Sequence, residues 1–251
     1  MSDAVSYFTI PEGTDSGRHF YVPDTATATE ARSILFGGLY DFKRIAEFVG
    51  QGPKVIVDIG ANIGAFTVAC HAWFPGSLVH SFEPRASTFS YLTLNTRTLP
   101  STTLHQCGLG LGERAEKLNI CRFGTVGDSI GASLYHGNGW PSEEILVKDA
   151  GQAFDEAAPS GCDILKIDTE GCEIEILSSL GPRLAGAKVV VLEYHSEEDR
   201  REIDRRLGQT HHLFLADIAN PHRGQMYFTL KHLTSLYDHM LIFSPGAPPE
   251  T

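Results

Sequence analysis

Two groups of residues in this chain have types and spacings that suit chemistry. The first lies in VIVDIGANIGAFTVA, residues 55–69, where an apolar run meets Asp58, then Gly60 and Gly64, before a helical pattern resumes. A glycine turn between a strand and a helix presents free N–H groups at the positive helix end, the usual seat of a phosphate. The dinucleotide spacing GxGxxG fails here, because its second and third glycines fall on Asn62 and Ala65. Asp58 would also repel a pyrophosphate. The next apolar run, LVHSFE (78–83), ends on Glu83, which puts two carboxylates on neighbouring strand ends. The second group is Asp168, Glu170, Glu193 and His195, at the ends of the runs CDILKID (162–168) and KVVVLEYH (188–195). Residues 193 and 195 of one strand point to the same side. A carboxylate and an imidazole are therefore expected beside Asp168 and Glu170.

A cation with free ribose hydroxyls resolves the charge conflict at the first group. S-adenosylmethionine carries a sulfonium and an ammonium and has no phosphate. Asp58 is expected to attract the ammonium, directly or through a water. Gly60 lets the backbone approach, and Glu83 accepts from the ribose hydroxyls. Each acid taken alone reads equally well as a helix cap or a surface group. For the second group three roles stay open. His195 or Asp168 can take a proton from an acceptor. Asp168 with Glu170 or Glu193 can bind Mg²⁺ and lower the acceptor's pKa. The site can also act by positioning alone. Glu170 fits as a first-turn helix acid, Glu173 and Glu175 as a solvated helix face, and Lys166 as a partner for a neighbouring acid.

The elements that must position these groups follow from the hydrophobic pattern. Strands are expected at 54–59, 78–83, 102–108, 162–168 and 188–195, with helices at 65–73, 86–98, 170–180 and 196–208. Val/Ile/Leu-rich strands alternating with helices indicate a parallel sheet covered on both faces. Residues 1–24 read as a partly extended arm, followed by helical patterning to residue 50 that breaks at Gly37-Gly38. This divides the chain into an N-terminal arm with helices (1–50) and a main domain (51–251). An inserted β-hairpin with a mobile glycine-rich loop is expected at about 113–150, the loop (124–139) being a candidate lid. Strands at 211–218, 225–230 and 239–244 lack full helices between them and are expected to run antiparallel. Tyr40 and Phe42 stand where a ring could cap the adenine or the sulfonium, with core packing the stronger reading for Phe42.

Composition narrows the partners. A formal net charge of −11 disfavours nucleic acid and leaves a small-molecule acceptor. No apolar run reaches the ~20 residues of a membrane span, and the first residues lack a basic and then apolar leader pattern. The expected location is cytoplasmic. The five cysteines show no CxxC spacing and read as small buried hydrophobes. The oligomeric state is open, with a homodimer compatible.

The motifs VIVDIGANIGAFTV, SFEP followed by Leu94-Asn95, and DILKIDTEGCEIEIL together resemble the FkbM family of S-adenosylmethionine-dependent methyltransferases, over roughly residues 35–245. The resemblance implies an α/β Rossmann-like class I methyltransferase fold, with a seven-stranded, mostly parallel sheet whose C-terminal strand is antiparallel. It also implies methyl transfer to a small acceptor, usually at a hydroxyl of a sugar, natural product or lipid. It assigns Asp58, Gly60, Asn62 and Gly64 to the first cofactor motif and Glu83 to the second. Gly171 matches the KIDTEG glycine, and Cys172 departs from the commoner alanine. The full expected cofactor set is Asp58, Gly60, Ala61, Asn62, Gly64, Glu83, Gly108 and Tyr40. The expected catalytic set is Asp168, His195 and Glu170. Runner-up readings are an N-methyltransferase, a nicotinamide-dependent oxidoreductase, or a non-catalytic cofactor-binding subunit.

Overall fold

The computed structural model describes residues 6–10, 17–120, 132–133, 139 and 141–234. The elements run β1 (Ser6–Thr9), β2 (His19–Val22), α1 (Thr25–Leu35), α2 (Phe42–Val49), β3 (Val55–Ile59), α3 (Ala65–Trp73), β4 (Leu78–Phe82), α4 (Ala86–Thr96), β5 (Thr102–His105) and β6 (Gly108–Gly110). They continue β7 (Arg114–Ile120), β8 (Ala132–Ser133), β9 (Ser142–Asp149), α5 (Ala150–Ala157), β10 (Cys162–Ile167), α6 (Glu173–Leu180), β11 (Ala187–Tyr194), α7 (Glu197–Leu207), β12 (His211–Asn220) and β13 (Arg223–Leu230).

The central sheet has seven strands in the order β12-β13-β11-β10-β3-β4-β5. β11, β10, β3, β4 and β5 pair in parallel, and β13 runs antiparallel between β11 and β12. This is the fold the resemblance implies. The central strands are apolar on both faces because helices cover both. Val57, Ile59, Leu165, Ile167, Val190 and Leu192 pack toward α5, α6 and α7. Ile56, Ile164, Val189 and Val191 pack on the other side with Ile45 of α2 and Phe66 of α3. Because the strands are parallel, their carboxyl ends share one edge, where open α/β sheets bind ligands.

The N-terminal arm is more ordered than its composition suggests. β1 and β2 form an antiparallel hairpin, and Phe8, Phe20, Val22 and Ala31 share an apolar cluster with Ile63, Ala65 and Val68. Asn95 of α4 clasps it. Its amide accepts from the Tyr21 N–H at 2.7 Å and donates to the carbonyls of Tyr21 and Ile63 at 2.9 and 2.8 Å. α1 starts on Asp24, whose carboxylate accepts from the Thr27 N–H at 2.8 Å.

The insertion forms a second sheet in the order β6-β9-β7-β8 rather than a lone hairpin. The run expected at 102–108 divides between the two sheets as β5 and β6. α5 is absent from the sequence reading; Asp149 caps it by accepting from the Gln152 N–H at 3.0 Å, and it buries Ala150, Ala153, Phe154 and Ala157. Most of the expected lid loop and the strand expected at 239–244 lie outside the described residues. Among the described residues no helix is long and apolar enough to cross a membrane.

Candidate active site

A cavity opens at the carboxyl edge of β3, β4, β10 and β11. One end is lined by Glu83, Pro84, Cys107, Gly108, Ile145 and Val147. The other is lined by Glu30, Lys166, Asp168, Glu170, Glu193 and Arg223. Gly60, Ala61 and Asn62 form the floor between them.

The floor is a tight turn. Gly60 has φ +78°, Asn62 φ +50° and Gly64 φ +92°, and the N–H groups of Gly60 and Ala61 both donate to the Phe82 carbonyl. A Cβ on Gly60 would sit 1.8 Å from the Asp168 carbonyl oxygen, so the turn lies directly against the end of β10. Gly64 does not line the cavity. A Cβ there would come within 2.8 Å of Leu92, so this glycine serves the close packing of α3 on α4. Gly60→Ala meets both a positive φ and immovable backbone. It should destabilise the fold by ~3 kcal/mol or more, read as a lowered urea midpoint.

Glu83 is buried, and its two carboxylate oxygens accept from the Asn62 N–H (3.1 Å) and the Arg85 N–H (2.9 Å). Burial pushes its pKa up to about 7 despite these bonds. A carboxylate held this way, at the rim of the second strand, has lone pairs left for a diol.

Asp58 lies elsewhere than expected. It is 0% exposed and does not line the cavity. Register explains its partners: Asp58 stands beside Lys166 on β10 and beside Ser81 on β4. The Lys166 ammonium is 3.4 Å from Asp58 and 3.6 Å from Asp168, and it donates to the Gly60 carbonyl at 2.5 Å. The Thr67 hydroxyl donates to Asp58 at 2.8 Å. Burial raises the Asp58 pKa, and Lys166 and Thr67 oppose it. For Lys166, burial works downward and the two carboxylates outweigh it, leaving the pKa raised. Asp58 is therefore the counter-ion of a buried lysine that braces the turn.

Tyr40 is also outside the cavity lining. It is buried against Phe66, and its hydroxyl donates to Asp168 Oδ2 at 3.0 Å. It supports Asp168 from below instead of capping a nucleoside. Phe42 packs in the core between Phe66 and Trp73.

At the other end, Asp168, Glu170, Glu193 and His195 converge, with one ligand atom of each within 4.8 Å of the others. The sequence reading missed two participants. Arg223, at the start of β13, donates to both oxygens of Glu193 (2.6 and 3.1 Å) and to Glu170 (3.0 Å). Glu173, expected on a solvated face, is 1% exposed and accepts from the N–H groups of Thr169 and Gly171. It fastens the turn in which Glu170 has φ +55°.

His195 sits behind this layer and does not line the cavity. Its nitrogens lie 3.2 Å from Glu170, 3.5 Å from Glu173 and 3.6 Å from Glu193. Burial alone would lower its pKa. The three carboxylates outweigh burial and push it up to about 12. The raised pKa favours the imidazolium, which suits a structural cation better than a proton acceptor. The acid cluster thus already holds two cations of its own, Arg223 and protonated His195. It does not fit a divalent ion unless Arg223 is displaced.

The sequence pattern of the Methyltransferase FkbM domain matches residues 58–218. The chain belongs to the FkbM methyltransferase family. The FkbM match begins at Asp58 and takes in β4, β10 and β11, whose ends line the cavity. Among relatives, the chain is similar to the hexuronic acid methyltransferase AglP of Haloferax volcanii, 26% identical over 176 residues, covering 68% of this chain and 69% of that one. It is also similar to the 31-O-demethyl-FK506 methyltransferase FkbM of Streptomyces tacrolimicus, 27% identical over 148 residues, covering 58% of this chain and 52% of that one. Among solved structures, it is similar to magnesium protoporphyrin IX methyltransferase from Synechocystis PCC 6803 with bound SAM, with TM-score 0.48 and 8% identity over 82% of this chain and 81% of that one.

Within the FkbM fold, eight of the expected site residues line one cavity: Gly60, Ala61, Asn62, Glu83, Gly108, Asp168, Glu170 and Glu193. Asp58, Tyr40, Gly64 and His195 stand behind them as supports. Glu30 and Arg223 lay in no motif, and Glu173, inside DILKIDTEGCEIEIL, read as a solvated helix face. Arg223 lay just before the strand expected at 225–230 and had no assigned role.

Proposed function

We propose that this methyltransferase takes its methyl group from S-adenosylmethionine and delivers it to a hydroxyl of a small polyhydroxylated acceptor. The observation that carries this reading is one cavity with two differently built carboxylates. Glu83 at one end suits ribose hydroxyls; Asp168 at the other is held for proton transfer. When bound, the cofactor supplies a methyl carbon activated for displacement by its sulfonium.

The chain's own residues manage the acceptor. Burial raises the Asp168 pKa, and Lys166 restrains the rise. Tyr40 fixes the carboxylate by donating to Oδ2. Asp168 is assigned to accept the hydroxyl proton on its carboxylate as the acceptor oxygen attacks. Glu170 and Glu193, kept in place by Arg223 and His195, give oxygens that orient further hydroxyls. The names of the uronic acid and macrolide methyltransferases among the relatives support an oxygen acceptor on a sugar or natural product. The charge of −11 favours a small acceptor over a nucleic acid.

Methyl-labelled S-adenosylmethionine, offered with a panel of glycosides, uronic acids and amines, tests the reading. Label on oxygen is expected. Label on nitrogen alone, or tight NAD binding without uptake of the adenosyl cofactor, would overturn it. Turnover should persist in excess chelator, because Arg223 already occupies the acid cluster between Glu170 and Glu193. Loss of activity in EDTA with recovery on Mg²⁺ would show that a metal displaces the guanidinium.

A further inference from the structure

The cavity contains a carboxylate whose partner is missing. Glu30 projects from α1 into the cavity together with Thr27, Ala31 and Ile34. Its Oε2 is buried and has no hydrogen-bond partner. Burial, and then the nearby charge of Asp168, push its pKa up to about 7. Leaving a buried carboxylate unsatisfied is costly, so a residue held in this state is poised for a ligand that brings the missing charge.

The other acids of the cavity are engaged. Glu83 accepts from two backbone N–H groups at the nucleoside end. Asp168 takes the Tyr40 hydroxyl and faces Lys166. Glu170 and Glu193 hold Arg223. Asp58 is sealed behind the floor. Glu30 approaches from the opposite wall. The apolar contact of α1 with Ile63, Ala65 and Val68 brings it over the glycine turn, within electrostatic reach of Lys166 and Asp168.

We infer that Glu30 is the group that receives the α-ammonium of the adenosyl cofactor, reaching it from α1 across the cavity. The inference rests on the cofactor reading above. It transfers to the N-terminal helix the role that the sequence suggests for Asp58. A cofactor whose ammonium is met this way is clamped between two parts of the chain, the glycine turn below and α1 above.

Calorimetry with three probes tests it. S-adenosylhomocysteine and its decarboxylated form keep the ammonium; 5′-methylthioadenosine lacks it but keeps the nucleoside. Glu30→Gln should weaken the first two by about tenfold or more, the effect of losing one charge-assisted bond. 5′-methylthioadenosine should bind with affinity changed by less than about twofold, which also certifies that the variant is folded. Glu30→Asp should recover part of the loss. Equal binding of S-adenosylhomocysteine to the wild type and Glu30→Gln would overturn the inference and leave the cofactor reading intact. A parallel loss for 5′-methylthioadenosine would overturn it too, because Glu30 would then shape the pocket as a whole. A wild-type protein that takes up none of the probes would overturn the cofactor reading and this inference together.

Discussion

Lys166→Met should lose about 3–5 kcal/mol of stability, the scale for removing one partner from a buried ion pair. Lys166 is 3% exposed and stands between Asp58, which is 0% exposed, and Asp168. Methionine fills most of the volume but leaves the fully buried Asp58 without its counter-ion and Asp168 unpaired beside it at the cavity wall. The lost hydrogen bond to the Gly60 carbonyl also frees the turn that floors the cavity. Chemical denaturation measures the deficit, and its pH dependence identifies the cause. Burial already raises the Asp58 pKa in the presence of the lysine. Without the lysine the folded-state pKa rises further above the unfolded value. A carboxyl in that condition favours folding below its unfolded pKa and opposes it as pH climbs through the folded one. The gap between variant and wild type should therefore narrow as pH falls below neutrality. Adding Asp58→Asn to Lys166→Met should restore part of the loss at neutral pH. A variant equally unstable at every pH would trace the loss to packing alone.

Asp168→Asn should reduce turnover by about 10²–10⁴-fold, the contribution expected of a positioned general base. The amide keeps the shape and can still meet the Tyr40 hydroxyl, so uptake of S-adenosylhomocysteine should change little. The pH profile separates a base from a mere contact. A base must be ionised, so the wild-type rate should fall on the acid side of its pKa. That limb should lie above the ordinary aspartate range, because burial raises the group. The limb should vanish in Asp168→Asn. Retention of full activity would remove Asp168 from the chemistry and leave the site to act by positioning.

The sheet was legible because physics writes it plainly into the sequence. Runs such as CDILKID and KVVVLEY are apolar on both faces only when helices cover both, and the alternation with helical patterns forces parallel pairing. The glycine turn and Glu83 were legible for the same reason: a strand end, a forced backbone and a carboxylate each have few uses. The direction of Asp58 was not legible from its own strand. It depends on the register between β3 and β10, which puts Lys166 beside it. Opposite charges at matching depths of two buried strands were a usable signal of that pairing. The setting of His195 was not legible because the turn that carries Glu170 and Glu173 comes against the end of its own strand, which carries Glu193, and only the three carboxylates together raise its pKa. Glu30 was invisible for a different reason. A lone acid on an amphipathic helix looks solvated until the docking of that helix is known. Tyr40 likewise needed the third dimension to become a hydrogen-bond donor to Asp168.

The placement of β13 has a consequence for how the family's shared stretch should be regarded. The recognisable core of the sequence ends at residue 218, yet β13 (Arg223–Leu230) is threaded between β11 and β12. A polypeptide excised at the limits of recognisable kinship would therefore be left with a gap inside its own scaffold, and without Arg223. The segment most easily traced by descent is not one that can stand alone, and this catalyst has to be inherited, expressed and engineered as a larger whole.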